Sequence, residues 1–167
     1  MLSVSWRISI DIGDAFEKKE YLPTVVMQIF NAHGALSLVR SVNCYWDLPQ
    51  GSIKLSDSEN LFGALSREAR ENMGIAEEQL TVSEYLGFED LDIPTGANRR
   101  LGFTKGNRYF FVKLLYRGDG ILRLNKNELD SYVWVDEKNQ EREVHSWLKN
   151  LPYNKRELTL RHLFPVK

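Results

Sequence analysis

The sequence has one cysteine, three histidines and no excess of either charge. A single cysteine cannot form a disulfide within the chain, and it excludes a zinc site built from several cysteines. The 22 basic and 23 acidic residues give a net charge of -1. The chain as a whole therefore does not attract nucleic acid or an anionic membrane, and any polyanion must be bound locally.

Long apolar runs are also missing. No segment approaches the roughly 20 apolar residues that span a bilayer, and residues 4–12 alternate apolar with polar side chains instead of forming the apolar core of a secretory signal. A hydrophobic content of 43% and a charged content of 27% are typical of a folded globular domain. We therefore expect a soluble cytoplasmic protein without a membrane partner.

The pattern along the chain predicts a mixed sheet with helices packed on it. The alternation over residues 4–12 predicts a strand, and residues 24–40 predict a hairpin that turns at residues 31–34. Residues 59–73 favour a helix that ends at Gly74. Further strands are predicted at residues 81–86, 109–116 and 132–135, helices at 137–150 and 155–164, and a loop at 41–58. This is an α/β (α+β) arrangement and not a regular doubly wound fold.

The predicted helix brings acidic and amide side chains together. Glu68, Glu71 and Asn72 are three and four residues apart, so they project from one side, and Glu68 and Asn72 also fall within the apolar stripe. Carboxylates that face a core need compensation, which a divalent cation bound by oxygen ligands would supply. Judged on the helix alone, acids at its rim that pair with Arg67 and Arg70 are the favoured interpretation.

The spacing around this helix changes the interpretation. Glu59 stands seven residues before the Arg67-Glu68 pair, and the motif continues with Ala69, Glu71, Gly74 and Ile75. This arrangement resembles the Nudix box, the signature of hydrolases that cut nucleoside diphosphates linked to another moiety.

The resemblance extends beyond the box. Residues 24–40 look like the opening hairpin of the family, residues 46–51 like its entry to the box, and residues 127–135 like its later acidic loop and strand. The resemblance implies a Nudix-type α/β/α sandwich with a central mixed β-sheet over residues 22–167. Residues 1–21 would then be an N-terminal extension with an extra strand, which could pair across a homodimer.

The sequence departs from the family pattern at two positions. Gly51 is separated from Glu59 by seven residues instead of five, which a longer loop absorbs at little entropic cost. Asn72 occupies the position where the family normally has a second metal-binding Glu. An amide oxygen can bind Mg²⁺ but brings no charge, so we expect a weakened metal site.

The resemblance implies a role for each matching residue. It makes Glu68 and Glu71 ligands of Mg²⁺ or Mn²⁺, with Asn72 as a neutral third ligand. Glu128 is a candidate general base or a replacement for the missing carboxylate, although a solvated acid before a strand explains it equally well. The catalytic candidates are thus Glu68, Glu71 and Glu128, and the residues that would hold the box together are Gly51, Glu59, Arg67 and Gly74.

Two features bear on the substrate. Residues 48–51 resemble the entry seen in the subgroup that acts on dinucleoside polyphosphates and on RNA 5′ triphosphate ends. Four cations precede the strand predicted at residue 109, where they would bind outer phosphates or an RNA backbone unless they form only a solvated basic loop: Arg99, Arg100, Lys105 and Arg108.

Three functions are therefore compatible with the sequence. The first is a metal-dependent Nudix pyrophosphohydrolase that acts on a nucleoside or dinucleoside polyphosphate or an RNA 5′ end. The second, favoured by Asn72, is a Nudix-fold protein that binds nucleotide or RNA without cutting it. The third is hydrolysis of a non-nucleotide diphosphate. Retention of Glu68, Glu71, Arg67 and Gly74 favours the first.

Overall fold

A computed structural model of the protein describes residues 2–42, 45–54, 60–93 and 96–166. The described residues form five α-helices, a short 3-10 helix (Glu77–Gln79) and one seven-stranded sheet. The helices are α1 (Leu2–Lys18), α2 (Leu61–Met73), α3 (Gly96–Arg100), α4 (Gln140–Trp147) and α5 (Tyr153–Leu163). The strands are β1 (Tyr21–Phe30), β2 (Leu36–Ser41), β3 (Trp46–Asp47), β4 (Gln50–Ser52), β5 (Leu80–Leu91), β6 (Gly106–Tyr116) and β7 (Leu129–Val135).

The sheet is mixed and is organised around β1. Strand β6 runs parallel to β1 along its whole length, while β2 and β4 pair with it in the antiparallel sense. Strand β5 pairs antiparallel with β6, and β2 pairs antiparallel with both β3 and β7. A parallel pair at the centre with antiparallel strands around it makes the sheet mixed, as the sequence predicts.

Helices cover both faces of the sheet. Met27 and its alternate neighbours on β1 belong to one hydrophobic core with the apolar sides of α1 and α2. Val26, which points to the opposite face, belongs to a second core with residues of α4 and α5. The protein is therefore an α/β/α sandwich, which confirms the predicted fold class.

Most predicted elements are present, with shifted ends. The three strands predicted in the second half of the chain correspond to β5, β6 and β7, each of which begins earlier than predicted. The loop expected over residues 41–58 contains β3 and β4. Strand β3 pairs with residues of β2 that lie six to eight positions earlier, so its partner is local. Strand β4 pairs with β1, more than 20 residues earlier, a long-range effect that local sequence does not report.

The N-terminal segment differs from its prediction. The alternation over residues 4–12 predicted a strand, but these residues belong to the 17-residue helix α1. Ile8, Ile12 and Ala15 are buried, and their spacing of four and three residues is helical. Because Ile8 and Ile12 are also an even number of residues apart, the same pattern fits a period of two. A homodimer through an N-terminal strand therefore loses its basis, while the boundary at residue 21 stays a prediction.

The helices of the described residues are too short or too polar to cross a membrane.

Helix α1 contributes to the first hydrophobic core, and its contribution to the free energy of unfolding can be measured. Ile12 is fully buried against that core. We expect Ile12→Ala to lower the free energy of unfolding by about 3 kcal/mol, because it removes buried methyl groups and leaves a cavity. Urea denaturation would measure this. The matched control is Glu17→Ala, an exposed position of the same helix, which should change stability little. Equal small effects of both substitutions would show that α1 is not docked in solution.

Candidate active site

Helix α2 carries the acidic residues, and both of its ends are well defined. Asn60 caps the first turn, accepting hydrogen bonds from the backbone N–H groups of Phe62 (3.0 Å) and Gly63 (3.1 Å). The helix ends at Gly74, which has a left-handed φ of 65°. A side chain at Gly74 would also lie 2.8 Å from Cβ of Arg123. The predicted stop at Gly74 is thus required by backbone conformation and by packing. Glu59 lies outside the described residues.

Glu68 is a buried carboxylate on α2, with a residue exposure of 8%. Its Oε1 accepts a hydrogen bond from Nη1 of Arg67 at 2.9 Å, and its Oε2 accepts one from Nδ2 of Asn72 at 2.5 Å. Burial raises the pKa of the Glu68 carboxyl above its ordinary value, although the hydrogen bond and charge of Arg67 oppose the shift.

Gly51 on β4 provides the space that the Glu68 carboxylate occupies. A Cβ at Gly51 would overlap the carboxyl carbon of Glu68. The guanidinium of Arg67 also links α2 to β4, because its Nη2 donates to the backbone oxygen of Ser52 at 3.0 Å. The Glu68 carboxyl can therefore occupy this position only with a glycine at position 51.

Arg67 also reaches the second acid. Its Nη1 lies 3.5 Å from Oε2 of Glu71, whose side chain is about half exposed. One guanidinium group thus contacts both Glu68 and Glu71, so the two carboxylates face the same point.

Asn72 acts here as a hydrogen-bond donor. While its Nδ2 binds Glu68, its Oδ1 accepts from Nδ2 of Asn125 at 3.4 Å, and its backbone oxygen accepts from the N–H of Asn125 at 2.9 Å. A deprotonated Glu at position 72 could not donate to Glu68. Asn125 was not identified from the sequence, since a polar residue in a loop gives no sign of which helix it contacts.

A cleft of about 400 Å³ opens beside Glu68 and passes between the two cores. Met27 and Met73 come from the first core, and Leu48 and Tyr109 from the second. Its polar lining comes from several elements and consists of Ser41, Tyr45, Asp47, Gln50, Glu68, Asn72, Tyr109, Glu128 and Lys155. The fold therefore brings Glu128 to the same cleft as Glu68 and Asn72. Glu71 is not part of the lining.

The lining of the cleft also contains a buried ion pair that was not predicted from the sequence. Nζ of Lys155 on α5 lies 3.1 Å from Oδ2 of Asp47, and the two side chains are only 7% and 10% exposed. The same ammonium is 3.4 Å from Oγ1 of Thr159 and 4.5 Å from the centre of the Tyr109 ring. The available sequence signal was the spacing of Lys155 from the buried Leu151 and Leu158, which places a lysine on an apolar stripe.

The four cations predicted to bind substrate do not line this cleft. Arg108 makes a two-pronged contact with Asp90 (2.7 and 3.0 Å) and lies 3.4 Å from Asp14. It points away from the cleft because its neighbour Tyr109 points into it, and strand side chains alternate. Lys105 pairs with Glu20 at 3.5 Å. The other two, Arg99 and Arg100, are exposed on α3.

The donor set can be compared with the needs of a divalent cation. Among the residues that the structure describes, no three His, Cys, Asp or Glu side chains are close enough to form a metal site. Glu68 and Glu71 nevertheless converge on one positive group, the Arg67 guanidinium, and Asn72 adds an amide oxygen. These are the hard oxygen donors that Mg²⁺ and Mn²⁺ prefer, so the set fits such a cation with one carboxylate fewer than the family pattern.

Comparison with known proteins identifies the family. Residues 20–152 match the NUDIX domain. An RNA pyrophosphohydrolase of Novosphingobium aromaticivorans is 30% identical over 136 residues, covering 75% of this chain and 83% of the relative. An RNA pyrophosphohydrolase of Wolbachia pipientis is 30% identical over 103 residues, covering 58% of this chain and 62% of the relative.

Solved structures share the fold. The dihydroneopterin triphosphate pyrophosphohydrolase of E. coli superposes with a TM-score of 0.63 at 18% identity, covering 85% of this chain and 95% of that chain. For the MutT protein of Methanosarcina mazei the TM-score is 0.61 at 20% identity, with 87% and 94% covered. An Ap4A hydrolase of C. elegans gives 0.59 at 17% identity, with 84% and 94% covered.

Fold and sequence thus define a hydrolase that acts on phosphoanhydride bonds. The chain belongs to the Nudix family. Nudix hydrolases generally use divalent metals.

The contact between Gly51 and Glu68 makes a sharp prediction. Gly51→Ala places a methyl group where the Glu68 carboxyl lies, so this side chain must move. We expect turnover to fall by about 10²-fold, because a misplacement of about 1 Å in an active site can cost this much. The measurement is initial rate, alongside circular dichroism as a check on folding. The control is Gly63→Ala on α2, where the added Cβ meets only ordinary contacts with Asn60. Full activity in Gly51→Ala would show that the position of Glu68 does not matter.

Proposed function

We propose that the chain is a Mg²⁺- or Mn²⁺-dependent pyrophosphohydrolase that cleaves a phosphoanhydride bond at the 5′ end of RNA or in a nucleoside or dinucleoside polyphosphate. The observation that carries the proposal is the pair of carboxylates, Glu68 and Glu71, that Arg67 holds together beside the cleft. The cleft volume lies in the range of sites that hold a small molecule such as a nucleotide. The two RNA pyrophosphohydrolase relatives support the RNA 5′ end as the first substrate to test.

The residues of α2 would hold the cation. Glu68 and Glu71 would contribute carboxylate oxygens, and Asn72 would contribute its amide oxygen. Nδ2 of Asn72 donates to Glu68, and Oδ1 accepts one hydrogen bond from Asn125, which leaves this oxygen a second lone pair for a cation. When bound, a divalent cation neutralises phosphate charge and makes water a better nucleophile near neutral pH.

Glu128 is the proposed general base. Its carboxylate is exposed at the cleft and can take the proton of the water that attacks phosphorus. Its backbone is fixed, since its N–H donates to the oxygen of Asn125 (3.0 Å) and its carbonyl accepts from Val42 (3.1 Å). Arg67 does not face the cleft and would act by holding the two acids in place.

A second function has one specific observation in its favour. Asn72 gives Glu68 a hydrogen bond without any metal, so the buried carboxylate is already compensated. A Nudix-fold protein that binds nucleotide or RNA without cutting it would retain this arrangement. Tight binding without turnover would support that alternative, and turnover of a non-nucleotide diphosphate alone would support the third.

The first test removes the charge of Glu68. We expect Glu68→Gln to reduce turnover by about 10²–10³-fold, because the substitution removes an electrostatic interaction while it keeps the shape of the side chain. Phosphate and pyrophosphate release would be measured with and without Mg²⁺ or Mn²⁺. The substrate panel would contain nucleoside triphosphates, dinucleoside polyphosphates, a nucleotide sugar and 5′-triphosphorylated RNA. The matched control is Glu77→Gln, an exposed acid outside the cleft. Unchanged activity in Glu68→Gln would refute the proposed site.

The second test restores the family residue at position 72. Asn72→Glu should lower the Mg²⁺ concentration that gives half-maximal rate, since it adds a charged oxygen ligand. Without metal the new carboxylate would face Glu68 across a distance that is now 2.5 Å, so we also expect a lower melting temperature that Mg²⁺ restores. Asn154→Glu on the exposed surface of α5 is the control for added charge. An unchanged Mg²⁺ requirement would indicate that Glu128 already supplies the missing charge.

A further inference from the structure

Two arginines on α3 make no ion pair or hydrogen bond with their side chains among the described residues. They are Arg99 and Arg100, and both are exposed. Lys105 and Arg108, which looked equivalent in the sequence, are both paired with acids. Of the four predicted cations, Lys105 and Arg108 are thus neutralised by ion pairs within the protein. Arg99 and Arg100 remain able to bind an anionic ligand.

The backbone of α3 is held firmly. Asn98 is 3% exposed, and its Nδ2 donates to the backbone oxygen of Gly106 (3.0 Å) and to Oδ1 of Asn107 (2.6 Å). Asn107 in turn donates to Oγ1 of Thr24 on β1 at 2.8 Å. Phe103 follows α3, is 2% exposed and donates its N–H to the oxygen of Asn98. The two arginines thus project from a rigid support, which lowers the entropic cost of binding a ligand.

A third cation joins them through Phe103. Lys19 is exposed, its Nζ lies 4.8 Å from the centre of the Phe103 ring, and its backbone oxygen accepts from Thr104 at 3.1 Å. The nearby acids are occupied elsewhere, since Glu20 pairs with Lys105 and Asp92 accepts from the hydroxyl of Tyr21. We call Lys19, Arg99 and Arg100 the α3 basic surface.

Helix α3 lies close to the lining of the cleft. Ile93 is part of that lining, and a Cβ at Gly106 would lie 2.7 Å from the backbone N of Ile93. The backbone oxygen of the same Gly106 accepts the hydrogen bond from Asn98 of α3. A polymer that leaves the cleft past Ile93 would therefore pass α3 and its two arginines.

We propose that the α3 basic surface binds the sugar-phosphate backbone of an RNA whose 5′ end lies in the cleft; this inference rests on the proposed function. With a net charge of -1, the protein as a whole does not attract RNA, so RNA binding requires a local cluster of cations. Arginine guanidinium groups match phosphate oxygens with paired hydrogen bonds. Mononucleotides end before this surface, so it favours RNA over free nucleotides as the substrate.

The test compares two substrates that differ only in length, a 5′-triphosphorylated dinucleotide and a longer 5′-triphosphorylated single-stranded RNA. We expect the double variant Arg99→Gln/Arg100→Gln to raise KM for the longer RNA by about tenfold, with kcat unchanged and the dinucleotide unaffected. The dependence of log(kcat/KM) on log salt for the longer RNA should also weaken by about 0.7 for each phosphate that the variant no longer neutralises.

The control is Arg117→Gln/Arg142→Gln, which removes the same charge from exposed positions on other elements. An equal effect in this control, an equal effect on both substrates, or no effect on the longer RNA would overturn the inference. Failure of the proposed function gives a different result, in which the unmodified protein cuts neither substrate. In that case fluorescence anisotropy with the longer RNA decides: weaker binding in the Arg99/Arg100 variant supports the surface, and unchanged binding overturns it.

Discussion

The burial of one carboxylate constrains the rest of the active site. Glu68 is almost inaccessible to water, and a carboxylate removed from water requires hydrogen-bond donors and positive charge. Arg67 supplies both, and Asn72 covers the second oxygen. Because the carboxyl group fills the place of a side chain at Gly51, its position requires a glycine on β4. The position of this acid therefore restricts the residue that β4 can carry beside α2.

The same constraint gives a physical meaning to the departure at Asn72. A second deprotonated acid in contact with Glu68 would repel it, until a bound cation or protonation of one of the two carboxyls relieved the repulsion. An amide has both an N–H donor and a carbonyl oxygen acceptor, so it is compatible with Glu68 whether or not a cation is bound. The substitution gives Glu68 a hydrogen-bond donor in the absence of a cation. We expect the same change to weaken cation binding, because an amide oxygen brings no charge.

The elements that could be predicted from the sequence are those specified by local signals. The hairpin of β1 and β2 and the end of α2 at Gly74 depend on residues close in sequence. The α1 segment was misassigned because isoleucines four residues apart satisfy both a period of two and a helical spacing. Asp47 and Lys155 are 108 residues apart, and nothing in either local sequence indicates the other. Arg108 resembled a free cation for the same reason, since its partners Asp90 and Asp14 come from other parts of the chain.

The Asp47–Lys155 pair also has a consequence for the order in which the protein matures during synthesis. Helix α5 contributes Lys155 to the cleft lining, where its ammonium contacts Asp47 near the start of the Nudix box. The sheet strands and α2 all leave the ribosome before α5 does. Until α5 docks, Asp47 lacks its counter-ion and the cleft lining lacks Lys155. A nascent chain can therefore assemble its box acids early and still have an incomplete substrate site, so that binding competence arrives as one of the last steps of folding.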